Sequence, residues 1–323
     1  MLFRNRRAGS GWCNPRVAGR PRRSCQDGDV TLAAHDRYDH SAIIHRPDYR
    51  WPNGARLALL IVNNIEHFAY REGLGSDSTG PATVQNQRPY AWRDYGNRVG
   101  LWNLLALLDE LDLPAAHNCN AAVLDHCPEI APALLARGDE LIGHGRTNSE
   151  RQDTLPEAEE RRLIADSRDT LARHGGRPRG WLGPYIAQSA ATLDLLAEAG
   201  FTYCLDWPAD DQPFWMRTRA GPMLSIPYSV ELNDSPAMVM RHHTGREFAA
   251  MITDQFDEML AQSTARPLVM SIVLHPFILG QPHRLRPFRL ALQYILRHRD
   301  QLWIARPGEV FDHIASLPPG VVP

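Results

Sequence analysis

The residues best suited to chemistry in this 323-residue chain are Glu66 in IVNNIEHF, His144 in LIGHGRTN and His275 in VMSIVLHP. Each follows a short apolar run or closes one. A carboxylate directly after a buried strand is poorly hydrated, so the pKa of Glu66 is expected to rise toward a useful general-base value. The competing reading of Glu66 is an acid in the first turn of a helix. His144 lies between Gly143 and Gly145, which let the backbone approach closely and lift the imidazole toward a ligand; a structural histidine bonded to a carbonyl is the alternative. Pro276 stops strand pairing after His275 and fixes the turn. An imidazole there can donate to a leaving nitrogen or polarise a carbonyl, the acid half of an acid/base pair.

The elements that must position these groups alternate short apolar runs with longer helical patterns. Leu57 to Asn64 reads as a buried strand, and Arg98 to Leu111 places Val99, Trp102, Leu105 and Leu108 on one helical stripe. Strands follow near residues 115–118, 140–143, 180–182, 201–205, 223–227, 268–274 and 302–305, with helices between them. Such a series implies an α/β fold with parallel strands buried by helices, either a barrel or an open doubly wound sheet. Unusual groups recur just past the strand ends: Glu66 and His67, Asn118 and Asn120, His144, Trp181, Asp206 and Trp207, and His275. In a parallel barrel these converge on one mouth.

Composition narrows the chemistry. There is no lysine among the 35 basic residues, which excludes Schiff-base chemistry and a phosphate-loop lysine. A formal charge of -2 argues against nucleic acid as a partner. Five cysteines without a C-x-x-C pair suit free thiols in a reducing compartment. The run Leu57 to Val62 is too short to span a membrane, and no apolar stretch follows the basic start, so the expected location is the cytoplasm. Residues 1–35 carry seven arginines and no apolar period. They are expected to be a disordered basic extension, read either as a nucleic-acid arm or as a non-structural segment, with residues 36–323 as one catalytic domain.

The order of these segments resembles the NodB-homology polysaccharide deacetylase superfamily and is most similar to its metal-independent allantoinase and cyclic-imide hydrolase branch. The likeness runs from about Arg56 to the last helix. It rests on NNIEH where the superfamily has an aspartate pair, HGRTN where it has two histidines four apart, DYGNRVGLW, GWLGP and LHPFILGQPHRL. His144 is retained while Asn148 replaces the second histidine. An asparagine carbonyl is a poor zinc ligand.

The resemblance implies a distorted (β/α)7–8 barrel that hydrolyses the C–N bond of a small linear or cyclic amide, ureide or imide. No metal or other cofactor is expected, and a homo-oligomer is. Glu66 would be the general base, and His144 and His275 would polarise the carbonyl or protonate nitrogen. Asn64, Tyr95, Arg98, Asn148 and Asp206 are expected to bind substrate. Trp181 and Trp207 are read as apolar walls of the pocket or, equally, as core. Two other readings stay open: a zinc-dependent deacetylase of an N-acetylated carbohydrate, with His67 as a further ligand, and a non-catalytic binding protein.

Overall fold

The strand that carries Glu66, β1 (Leu57–Ile65), is buried along its whole length. An all-apolar run of this kind suits a strand covered on both faces. In the computed structural model, which describes residues 35–70, 76–77, 80–81 and 87–323, alternate residues of β1 serve two different cores. Leu57, Leu59 and Ile61 pack outward against helices, with Leu104, Phe256 and Leu292. Ala58, Leu60 and Val62 pack inward with Ile142, Leu182, Ile226 and Val269. That alternation follows from the two-residue period of a strand, and it places Asn64 and then Glu66 on the inner side at the carboxyl end.

The other strands of the nine-stranded sheet are β2 (Ala116–Cys119), β3 (Glu140–Gly143), β4 (Gly180–Trp181), β5 (Tyr203–Cys204), β6 (Phe214–Met216), β7 (Met223–Ser225), β8 (Leu268–Leu274) and β9 (Leu302–Ala305). Their order is β8-β1-β2-β3-β4-β5-β7-β6, with β9 beside β1. β1 pairs with β9 through Leu57–Leu60 and with β2 only from Val62 onward, so β9 fills the gap where β2 diverges. All pairings within this sheet are parallel except β6 with β7. The sheet curls into a half-barrel, a mixed α/β architecture. Between β7 and β8 the named strands do not pair, and a bridge from Asn233 to Val273 spans that seam.

Helices cover the outer face, except the last, whose Val310 and Ile314 pack with the inner core. They are α1 (Gln87–Tyr95), α2 (Leu101–Glu110), α3 (Ala121–His126), α4 (Ile130–Ala136), α5 (Glu157–Arg173), α6 (Thr192–Glu198), α7 (Gly245–Ser263), α8 (Pro276–Leu279), α9 (Pro282–Ile295) and α10 (Pro307–Ser316). The stripe expected on 98–111 is corrected by a π-helical turn over Gly96–Gly100. A turn closed by i→i+5 bonds shifts the register. Val99 is consequently 41% exposed, while Leu101, Leu104, Leu105, Leu107 and Leu108 face the core. The antiparallel strand β6 was not legible in the sequence. Residues 36–323 form one compact unit; the extension expected over 1–35 lies, His35 apart, outside the described residues. Among the described residues no helix is long and apolar enough to cross a membrane.

The π turn also fixes the approach of α8, the segment directly after His275. A Cβ on Gly100 would lie 2.0 Å from the Pro276 carbonyl oxygen, and one on Gly96 would lie 2.8 Å from the Phe277 nitrogen. Glycine at both positions therefore lets the turn lie against the residues that follow His275.

Candidate active site

Glu66, His144 and His275 meet at the carboxyl end of the sheet, all three nearly buried. Glu66 Oε1 lies 3.5 Å from His275 Nε2 and 3.8 Å from His144 Nε2. Both separations exceed a tight hydrogen bond, so the carboxylate is attracted to each ring without being locked to either. Asn97, from the π turn, donates to the Glu66 carbonyl at 2.9 Å and fixes the backbone there.

Each histidine is held from behind. His144 Nδ1 lies 2.6 Å from the Leu182 carbonyl; a carbonyl can only accept, so this nitrogen carries the proton. Its Nε2 has no hydrogen-bond partner and is left for the site. Gly145, with φ +65°, turns the chain immediately after it. His275 donates from Nδ1 to Asp234 Oδ1 at 2.7 Å and from its backbone N–H to Oδ2 at 2.9 Å. Asp234 is fully buried and follows the Asn233 bridge to β8, which brings it across the seam. The sequence reading missed it. Its signal, an acid between Asn233 and Ser235 outside any predicted strand, gave no reason to associate it with His275.

The electrostatics correct one expectation. Burial alone would push the Glu66 carboxyl up, but the charge of His275 and the nearness of both imidazoles outweigh it, so its pKa falls below the ordinary carboxylate range. For His275, burial opposes the charge, yet Asp234 and Glu66 raise it to about 10. It is therefore an imidazolium between two carboxylates at neutral pH. Burial raises Asp234. Asp206 is raised by burial to about 7; its Oδ1 accepts the Gly183 N–H at 2.6 Å, and its Oδ2 has no partner.

The other expected substrate contacts divide. Asn64 lies beneath Glu66 and is fully engaged: it donates to Tyr228 and to the Leu274 carbonyl and accepts from Asn118. Tyr95 is directed toward Gly280, 3.5 Å from its carbonyl, and supports α8. Arg98 does not reach the site: its side chain is 74% exposed and lies 3.7 Å from Asp94, because the π turn swings it outward. The buried arginine is Arg93, whose guanidinium sits 4.1 Å over the Phe68 ring and lines a small cavity beside Glu66 with His67, Tyr90 and Asn97. Trp181 is core rather than a wall, since its parity on β4 directs it to the helices, against Phe201, Leu163 and Leu193. Trp207 stands edge-on to Tyr38 and donates to Gln188. Asn148 accepts from Asn120 at 3.0 Å, and its carbonyl accepts from the Tyr185 hydroxyl at 2.9 Å.

With this geometry established, residues 91–204 match the polysaccharide deacetylase family. Over that segment the chain is similar to the polysaccharide deacetylase (NodB) domain. A polysaccharide deacetylase homologue of Schizosaccharomyces pombe is 23% identical over 291 residues, covering 80% of this chain and 90% of that protein. Among solved structures, PuuE allantoinase superposes with a TM-score of 0.79 at 28% identity over 84% of this chain and 95% of its own. A polysaccharide deacetylase homologue from Pseudomonas aeruginosa PAO1 superposes with a TM-score of 0.77 at 28% identity, over 83% and 93%. Proteins of the deacetylase and allantoinase groups are hydrolases, and the fold supports an enzyme.

The donors present at this site do not fit a catalytic zinc ion, which takes about three protein ligands. Among the described residues, no three His, Cys, Asp or Glu side chains are grouped to hold a metal. The Asn148 oxygen is occupied by Asn120. His67, the further ligand considered, packs against the His126 ring at 5.0 Å.

Proposed function

We propose that this deacetylase-family protein hydrolyses the C–N bond of a small linear or cyclic amide, ureide or imide without a metal, using Glu66 as the base. The observation that carries the reading is Glu66 poised between the His275 imidazolium and the Nε2 of His144. A water beside Glu66 Oε1 gives up its proton as it attacks the carbonyl carbon. The positive His275 stabilises the oxyanion that develops. It then passes its Nε2 proton to the leaving nitrogen, whose bond to carbon breaks. His144 orients the water by accepting a hydrogen bond at Nε2.

A carboxylate with a lowered pKa is a weak base in the resting site. Its strength develops as His275 gives up the proton that stabilises it, so the two transfers are coupled. The likeness to PuuE allantoinase supports a small C–N substrate for this chain.

The test is turnover of a panel of small amides, ureides and imides by chelator-washed protein, wild type against Glu66→Gln. Turnover that survives the chelator and is lost in the variant supports the reading. Turnover that needs added zinc sinks it, and ligand binding without turnover by either protein points to a non-catalytic binder.

A further inference from the structure

Two of the proposed catalytic residues are joined by a side chain that the mechanism leaves unused. Asn120, just past β2, is fully buried. Its Oδ1 accepts the backbone N–H of His67, the residue after Glu66, at 2.8 Å. Its Nδ2 donates both to the His144 carbonyl and to Asn148 Oδ1, the latter at 3.0 Å. The orientation of this amide is dictated by its neighbours, since a backbone N–H only donates and a carbonyl only accepts. A backbone bond from Asn148 N to the His67 carbonyl at 2.9 Å closes the ring.

We propose that Asn120 is the positioning residue that sets the separation of Glu66 and His144. It ties the end of β1 to the end of β3 through a third strand, and in doing so occupies the Asn148 side chain. An amide is the side chain that can accept on one side and donate twice on the other; aspartate is nearly isosteric but only accepts when ionised. The inference rests on the reading of Glu66 as base, and its test separates the two.

Backbone amide exchange, which does not depend on turnover, is measured by NMR in Asn120→Ala alongside kcat and KM. The His67 and Asn148 amides are expected to exchange at least about tenfold faster, because loss of the ring exposes them to local opening. Misplacing catalytic groups by about 1 Å can cost on the order of 100-fold in rate, so kcat is expected to fall between tenfold and that limit with KM within about threefold. In Asn120→Asp the side chain keeps its size but, when ionised, can no longer donate to the His144 carbonyl and Asn148, so kcat is expected to fall as in Asn120→Ala. A merely structural residue would leave kcat of the folded variants in place. Should Asn120→Ala fail to fold, Asn148→Ala removes one bond of the ring and gives the same exchange readout at His67. Unchanged amide exchange and kcat within twofold of wild type, with Glu66→Gln inactive, would overturn the role of Asn120 while leaving the base intact. Activity retained in Glu66→Gln overturns the base, and the exchange data then judge Asn120 alone.

Discussion

Asp234 receives two hydrogen bonds from His275, one from the ring at 2.7 Å and one from the backbone at 2.9 Å, so a single carboxylate fixes both the rotamer and the charge of that imidazole. With Glu66 3.5 Å beyond the other ring nitrogen, His275 is a cation held between two anions. This arrangement makes it an acid at neutral pH despite its burial.

Replacing Asp234 with Asn removes one anion and keeps the shape. The His275 pKa, raised to about 10 in the native site, is then expected to fall by at least about one unit. The alkaline limb of kcat/KM should move down by the same amount. An unmoved limb would mean that His275 is not the acid.

The same groups govern stability against pH. His275 has a folded pKa above its unfolded value, so its contribution is full below about pH 6.5 and is lost as pH rises through about 10. Glu66 has a depressed folded pKa, so its contribution is present above about pH 4.3 and is lost as pH falls below that value. Urea midpoints should therefore decline on both sides of a window between those two unfolded values. In Asp234→Asn the alkaline decline should begin from a lower midpoint and be shallower.

Arg98→Ala should leave Tm within about 2 °C, since an exposed i,i+4 pair contributes only about 0.3–0.5 kcal/mol, and kcat/KM within twofold. Arg93→Ala should destabilise by about 2 kcal/mol, the scale of a desolvated cation over an aromatic ring. Urea unfolding distinguishes the two, and equal effects would contradict the placement of these arginines.

Trp181→Ala should cost about 3–5 kcal/mol, as for other fully buried aromatics, with KM of the folded protein unchanged. A raised KM in a stable variant would return Trp181 to the pocket.

The sequence carried the strand ends well and the side-chain directions poorly. Strands 140–143, 268–274 and 302–305 were read at their observed bounds, because their short apolar runs end abruptly at polar or turn residues. Their alternation with helices implied the curled parallel sheet, and register at its mouth brought Glu66, His144 and His275 together. Arg98 was misplaced because a π turn looks like ordinary helix in sequence, and a shift of register moves a side chain from one face to another. Trp181 was left between pocket wall and core because a two-residue strand is too short to show its parity. Asp234 and Asn120 act through contacts with residues 41 and up to 53 positions away in sequence, and no local pattern encodes such partners.

The central claim is that Glu66 is the base of a metal-free hydrolase. Its most direct test is kcat/KM for Glu66→Gln against wild type, both chelator-treated and of matched Tm, on the small amide, ureide or imide turned over fastest. Loss of a positioned general base is predicted to lower kcat/KM by about 10³-fold. A variant within tenfold of wild type would contradict the account.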